Sequence, residues 1–109
     1  SVFLTKAIEL VEKNLHVPGY SVEQLSRDLC MERTGLYRKL VAMLDQSPSL
    51  FIRNIRLQRA AQLILEGSLS ITEIAERTGF SSSSYLSKCF QEMYGCRPSE
   101  YAEKMQKST

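Results

Sequence analysis

The sequence repeats itself at a distance of about fifty residues. Ser21-Val-Glu-Gln-Leu-Ser-Arg-Asp-Leu29 is answered 49 positions on by Ser70-Ile-Thr-Glu-Ile-Ala-Glu-Arg-Thr78. Leu36-Tyr-Arg-Lys-Leu40 is answered 50 positions on by Leu86-Ser-Lys-Cys-Phe90, and Pro48-Ser-Leu-Phe51 by Pro98-Ser-Glu-Tyr101. A unit used twice must fold the same way twice, so the repeat restricts the chain to two like lobes. Each copy reads as a short helix, a tight turn, a second helix and a proline-marked restart. The slip from 49 to 50 places one extra residue in the second turn.

The apolar spacing between these landmarks is helical throughout. Phe3, Leu4, Ala7, Ile8, Val11 and Leu15 form one stripe, and Pro18-Gly19 ends it. Ser21 caps a helix that runs to about Cys30, with Gln24 at the reciprocal capping position and Val22, Leu25 and Leu29 on the buried face. Met31–Gly35 is the turn and the start of the next helix, whose buried stripe is Leu36, Leu40 and Met43. Pro48 opens a long helix, capped by Ser47 at its start and by Gly67 at its end. At about 18 residues it is about 27 Å long, and its apolar residues cover more than one stripe, so both lobes can pack on it. Ser70 caps a further short helix that buries Ile71, Ile74 and Ala75. Ser82 to Tyr94 is the matching second helix, with Tyr85, Leu86, Phe90 and Met93 inward. Gly95 stops it, and a last helix starts at Pro98. The expected fold is all-α, with about seven helices and no strand.

Composition narrows the function by exclusion. The 109 residues suit one compact domain or two small lobes sharing a helix. No apolar run approaches the roughly 20 residues that span a bilayer, and Thr5-Lys6 interrupts Val2-Phe3-Leu4 too soon for a signal peptide. No membrane contact and a cytoplasmic setting are therefore expected. The chain starts without Met and reads as a piece of something longer. Cys30, Cys89 and Cys96 are odd in number and have no CxxC spacing. Cys30 and Cys89 read as small core residues, not as half of a disulfide framework. With His16 the only histidine, no metal site is expected, and no cofactor motif is present. No nucleophile elbow, glycine-rich phosphate loop or HExxH appears, so an enzyme is hard to build from these parts.

What remains is the outward chemistry of the two second helices, which begin near Arg33 and Ser82. A helix fits the major groove of duplex DNA and reads base edges with its first turns. The first presents Arg33, Thr34, Tyr37 and Arg38; the second presents Ser83, Ser84, Ser87 and Lys88, with Ser82 either a cap or a contact. Arg donates bidentately to a guanine edge and the Thr methyl meets a thymine methyl. Serines bond to bases or phosphates alike, so the second helix should discriminate less sharply. Net charge is only +2, but Arg53, Arg56 and Arg59 lie in a stretch free of acid between Gln46 and Leu65. They are either solvated or lobe-bridging, or else, for Arg53 and Arg56, phosphate contacts. Tyr20, Tyr85, Tyr94 and Tyr101 read as core or rim aromatics.

The segment from Ile71 to Tyr101 resembles the signature of the AraC/XylS family of bacterial transcription regulators. Its marks are the Ile-Ala-Glu start, the Gly79-Phe80 turn, the Tyr85-Leu-Ser stretch, Phe90, and Gly95 followed by Pro98-Ser99. The resemblance extends from about residue 3 to 105. It implies seven helices in a homeodomain-like tandem: a first helix-turn-helix lobe over 1–46, a connecting helix over 47–67, and a second lobe over 68–109. It also implies base contacts from Thr34, Tyr37 and Arg38 and from Ser83, Ser84, Ser87 and Lys88. Family members often carry Arg after Pro-Ser-x-Tyr; here Ala102 stands there, so no such contact is expected from the last helix. The stretch Gln46–Leu65 is similar to the C-terminal output domain of hybrid two-component regulators; the alternative is a conventional regulator with a sugar- or effector-binding domain upstream. Implied partners are double-stranded DNA and RNA polymerase, with dimerisation only through upstream domains. The competing expectation is a helical protein-interaction module that makes no DNA contact.

Overall fold

The structure is a computed structural model describing residues 1–107. Among these there are seven α-helices and no strand: α1 (Val2–Lys13), α2 (Val22–Asp28), α3 (Arg33–Leu44), α4 (Pro48–Glu66), α5 (Ile71–Arg77), α6 (Ser83–Tyr94) and α7 (Pro98–Lys107). Helices of seven residues are marginal on their own, and α2 and α5 both start on a reciprocal capping box. Ser21 Oγ accepts from the Gln24 amide at 3.4 Å while Gln24 Oε1 accepts from the Ser21 amide at 3.0 Å. Ser70 and Glu73 repeat the arrangement at 3.2 and 3.0 Å. That bond to the Ser70 amide holds the Glu73 carboxyl below its usual range. At α4, Ser47 caps, Pro48 takes the first position, and Gly67 closes the helix in the left-handed region at φ 76°.

The apolar residues form two clusters that meet at α4. The first gathers Ala7 and Val11 of α1, Leu25 of α2, Leu36 and Leu40 of α3, and Phe51, Ile52 and Ile55 from the first half of α4. The second gathers Leu57, Ala60, Ala61 and Leu63 from the other half of α4 with Ile74, Ala75, Phe80, Leu86, Cys89, Phe90 and Tyr101. Thus α4 closes the first cluster as α7 closes the second, and opens the second as α1 opens the first. Every substantial helix–helix packing either stays within one cluster's helices or involves α4.

The two turns share one hydrogen-bond scheme. The Met31 amide donates to Ser26 O and the Phe80 amide to Ala75 O, both at 2.9 Å. Each scheme needs a left-handed residue, Cys30 at φ 56° in the first turn and Gly79 at φ 78° in the second. Four residues separate α2 from α3 and five separate α5 from α6. Cys30 is therefore corrected from core to surface: the turn backbone carries its side chain into solvent, whereas Cys89 is buried. Tyr85 and Met93 are corrected likewise. The buried stripe of α6 is Leu86, Cys89 and Phe90, and those two flank it at 45% and 40% exposure. Met43 is also exposed.

Candidate nucleic-acid interface

Helices α3 and α6 each keep one face in a core and turn the other outward. On α3, Leu36 and Leu40 are fully buried, which leaves Arg33, Thr34, Tyr37 and Arg38 exposed. On α6, Leu86, Cys89 and Phe90 are buried, which leaves Ser84 and Lys88 exposed and Ser83 and Ser87 half-buried. Ser82 is the N-cap, its Oγ accepting from the Tyr85 amide at 3.0 Å. Glu32, at the corresponding position before α3, makes no such bond. The first turn of α3 therefore has fewer of its backbone donors satisfied from within.

The side chains differ in how firmly they are held. Arg33 Nη1 reaches Glu23 Oε1 at 3.4 Å, with both side chains about two-thirds exposed; such a surface pair is weak and easily exchanged for another anion. Arg38 makes no hydrogen bond or ion pair with the described residues. The neighbouring Lys39 lies 4.5 Å from the Phe3 ring centroid and is tied to α1. Tyr37, 53% exposed, lines a groove with Arg33, Thr34, Ser47, Pro48 and Ser49. Ser87, at the matching place in the second copy, lines a groove with Arg97, Pro98 and Ser99.

The beginning of α4 links α3 and α6. Ser49 lines the Tyr37 groove and also the cleft between the two cores. That cleft contains Leu50, Arg53, Ser81 and Tyr85. A continuous surface therefore runs from the first turn of α3, across Ser49 and Arg53, to the first turn of α6. Arg53 is half-buried there, and its Nε is buried without a hydrogen-bond partner.

Arg56 stands apart, and phosphate contact by it is corrected. It is 6% exposed, and its guanidinium donates to the carbonyls of Leu15, of Thr78 at 2.8 Å, of Val17 at 3.1 Å and of Tyr20 at 3.5 Å. Of the two readings of this arginine, the lobe-bridging one fits. Burial pulls its pKa below the usual arginine value. No carboxylate among the described residues pairs with it. The compensating partial charge comes from backbone carbonyls: Thr78 O at the C-cap of α5, where the helix dipole favours a cation, and three carbonyls of the loop after α1. The loop supplying three of them is itself held, since the Tyr20 hydroxyl donates to Asp28 Oδ2 at 2.9 Å. Burial, then that bond and charge, push the Tyr20 hydroxyl up. A sequence signal for Arg56 existed: Ile52, Arg56 and Ala60 follow one another at helical spacing, and both neighbours are apolar.

Among the described residues, no group of His, Cys, Asp and Glu could hold a metal ion, and no helix is long and apolar enough to cross a membrane.

Comparison with known proteins places this arrangement. The sequence pattern of a family described as a helix-turn-helix domain matches residues 25–104. The chain is 40% identical over 98 residues to histidine kinase P4 of Formosa agariphila, covering 90% of this chain and 7% of that protein. It is 32% identical over 97 residues to the HTH-type transcriptional regulator ArgR of Pseudomonas aeruginosa, covering 89% of this chain and 29% of that protein. The C-terminal domain of AraT, a response regulator from Geobacillus stearothermophilus, superposes with a TM-score of 0.83 at 28% identity, over 95% of this chain and 86% of that one. The chain thus spans less than a third of either relative's length.

Proposed function

Because this chain belongs to the AraC/XylS family of helix-turn-helix domains, the DNA-binding output domains of transcription regulators, we propose that it reads duplex DNA with α3 and α6 together, in two successive major-groove segments. The observation that carries this reading is the continuous surface through Ser49 that joins the first turns of the two helices. Segments on one face of the duplex recur every 34–36 Å or so, and the molecule measures 41 Å along its longest axis. Residues 1–46, the connecting helix 47–67 and residues 68–109 act as one binding unit; the last two residues lie outside those described. Arg33, Thr34, Tyr37 and Arg38 read bases in one half-site. Ser83, Ser84, Ser87 and Lys88 touch the other, assisted by Ser82 through its free hydroxyl proton, and Arg53 meets a phosphate between them. The domain works by binding and not by turnover, in the cytoplasm, and RNA polymerase is its protein partner. Likeness to a histidine kinase and to a response regulator supports a place at the output end of a two-component system. Dimerisation then belongs to the domains upstream.

Two measurements test this. Log affinity for duplex DNA should fall linearly with log salt, by about 0.9 for each phosphate neutralised. A flat profile would favour a helical protein-interaction module. Arg38→Ala should weaken specific binding by about 1–3 kcal/mol and relax preference at one or two base pairs. An equal loss on random DNA would make Arg38 a phosphate contact.

A further inference from the structure

The seam between the two cores falls at a single residue. Ile55 belongs to the first cluster and Leu57 to the second, and the side chain between them is Arg56. Apart from α4 itself, no substantial helix packing crosses from one core to the other. The Arg56 guanidinium does cross. It bonds to Leu15, Val17 and Tyr20 in the α1–α2 connection and to Thr78 at the end of α5, residues 41, 39, 36 and 22 positions away along the chain. A guanidinium is a rigid planar fork, so four carbonyls sharing it are fixed relative to one another.

Gly79 shows how closely the second turn is drawn onto this fork. A β-carbon at Gly79 would overlap both Arg56 Nη1 and the Leu15 carbonyl. The second turn therefore depends on glycine twice, for its positive φ and for the approach of Arg56. At the equivalent position of the first turn no arginine passes, and Cys30 is accommodated with its side chain in solvent.

We propose that Arg56 is a positioning residue that fixes the separation and mutual orientation of α3 and α6, and so sets the number of base pairs the domain accepts between its two half-sites. The inference rests on the two-helix reading of DNA given above. Changing the spacer by one base pair shifts one half-site by about 3.4 Å and rotates it by about 35°. A frame locked by one fork cannot follow both changes; a frame joined only by α4 can, by bending.

The test uses the 109-residue chain and begins without DNA. Amide residual dipolar couplings from α1–α3 and from α5–α7 of the wild type should fit one alignment tensor. In Arg56→Lys, which keeps the charge but loses the fork, and in Arg56→Met, each set should fit its own tensor. A single tensor in either folded variant overturns the proposal, whatever the domain binds. If neither variant folds, Arg56→Gln, which keeps a polar end but cannot reach both sides of the seam, carries the same test. Two tensors in the wild type overturn the proposal without any variant. The second arm takes duplexes selected by the wild type from random sequence and changes their spacer by one base pair. Wild-type affinity should drop about tenfold or more, and that of the Arg56 variants by about threefold or less between spacers, from a weaker optimum. A uniform loss at all spacings reduces Arg56 to a stabilising residue and overturns the proposal. Failure of the wild type to select any duplex removes the DNA reading instead, and the dipolar couplings then decide the frame alone.

Discussion

Phe90→Ala is expected to lower the free energy of unfolding by about 3–5 kcal/mol, the range for removing a large aromatic from a core that cannot fully collapse. The ring is completely buried among Leu57, Ala60 and Leu86 of the second cluster. It also anchors an aromatic group, with centroids 4.5 Å from Tyr94 and 5.2 Å from Tyr101, the latter edge-on at 88°. Such pairs add about 0.5–1.5 kcal/mol beyond the area they bury. Truncation would open a void at the centre of this group and leave Tyr101 with only its other ring partner, Tyr94, at 5.1 Å. The chain contains no tryptophan, so the measurement is urea unfolding followed by helical circular dichroism. A loss under about 1 kcal/mol, typical of surface substitutions, would mean that the ring does not occupy this core.

Leu36→Ala and Leu86→Ala should each cost about 2–5 kcal/mol. The two leucines are equivalent by the repeat, both fully buried, and in different clusters. Because they share no packing partner, the double variant should lose the sum of the single losses to within about 0.5 kcal/mol. A coupling well above that would mean that the cores communicate through α4 more strongly than their separate membership implies. A negligible loss for Leu86→Ala alone would put the helical phase of α6 in error.

The elements were legible because their boundaries are local chemistry. Ser21 with Gln24, Ser70 with Glu73, Ser47 before Pro48, and Gly67 and Gly95 in the left-handed region each act within one helical turn, and spacing along the chain reveals them. The extra residue of the second turn was legible for the same reason. Finer phase was not. Tyr85 and Met93 are apolar enough to suggest burial, but α6 needs only a narrow stripe, and its flanks remain exposed. Cys30 looked like a continuation of its helix, whereas α2 ends at Asp28 and the turn puts Cys30 in the left-handed region. At Arg56 the missing information is tertiary. No local rule says that the ends of α1 and α5 converge on one point of α4, and only that convergence makes a buried, unpaired guanidinium tolerable. On the candidate interface, the outward positions of α3 and α6 followed from their buried leucines. The tie between Arg33 and Glu23, and the surface through Ser49 and Arg53, needed the packed structure.

The central claim is that one copy of this chain reads DNA with two helices at once. Hydroxyl-radical footprinting of the 109-residue domain on a duplex it selects, at a stoichiometry fixed by titration, tests it most directly. One monomer per duplex should protect two patches on the same face, about 10–10.5 base pairs apart, with sharper base preference in the patch facing Arg38. Protection of a single patch by the monomer, or two patches that appear only when a second copy binds, would contradict it.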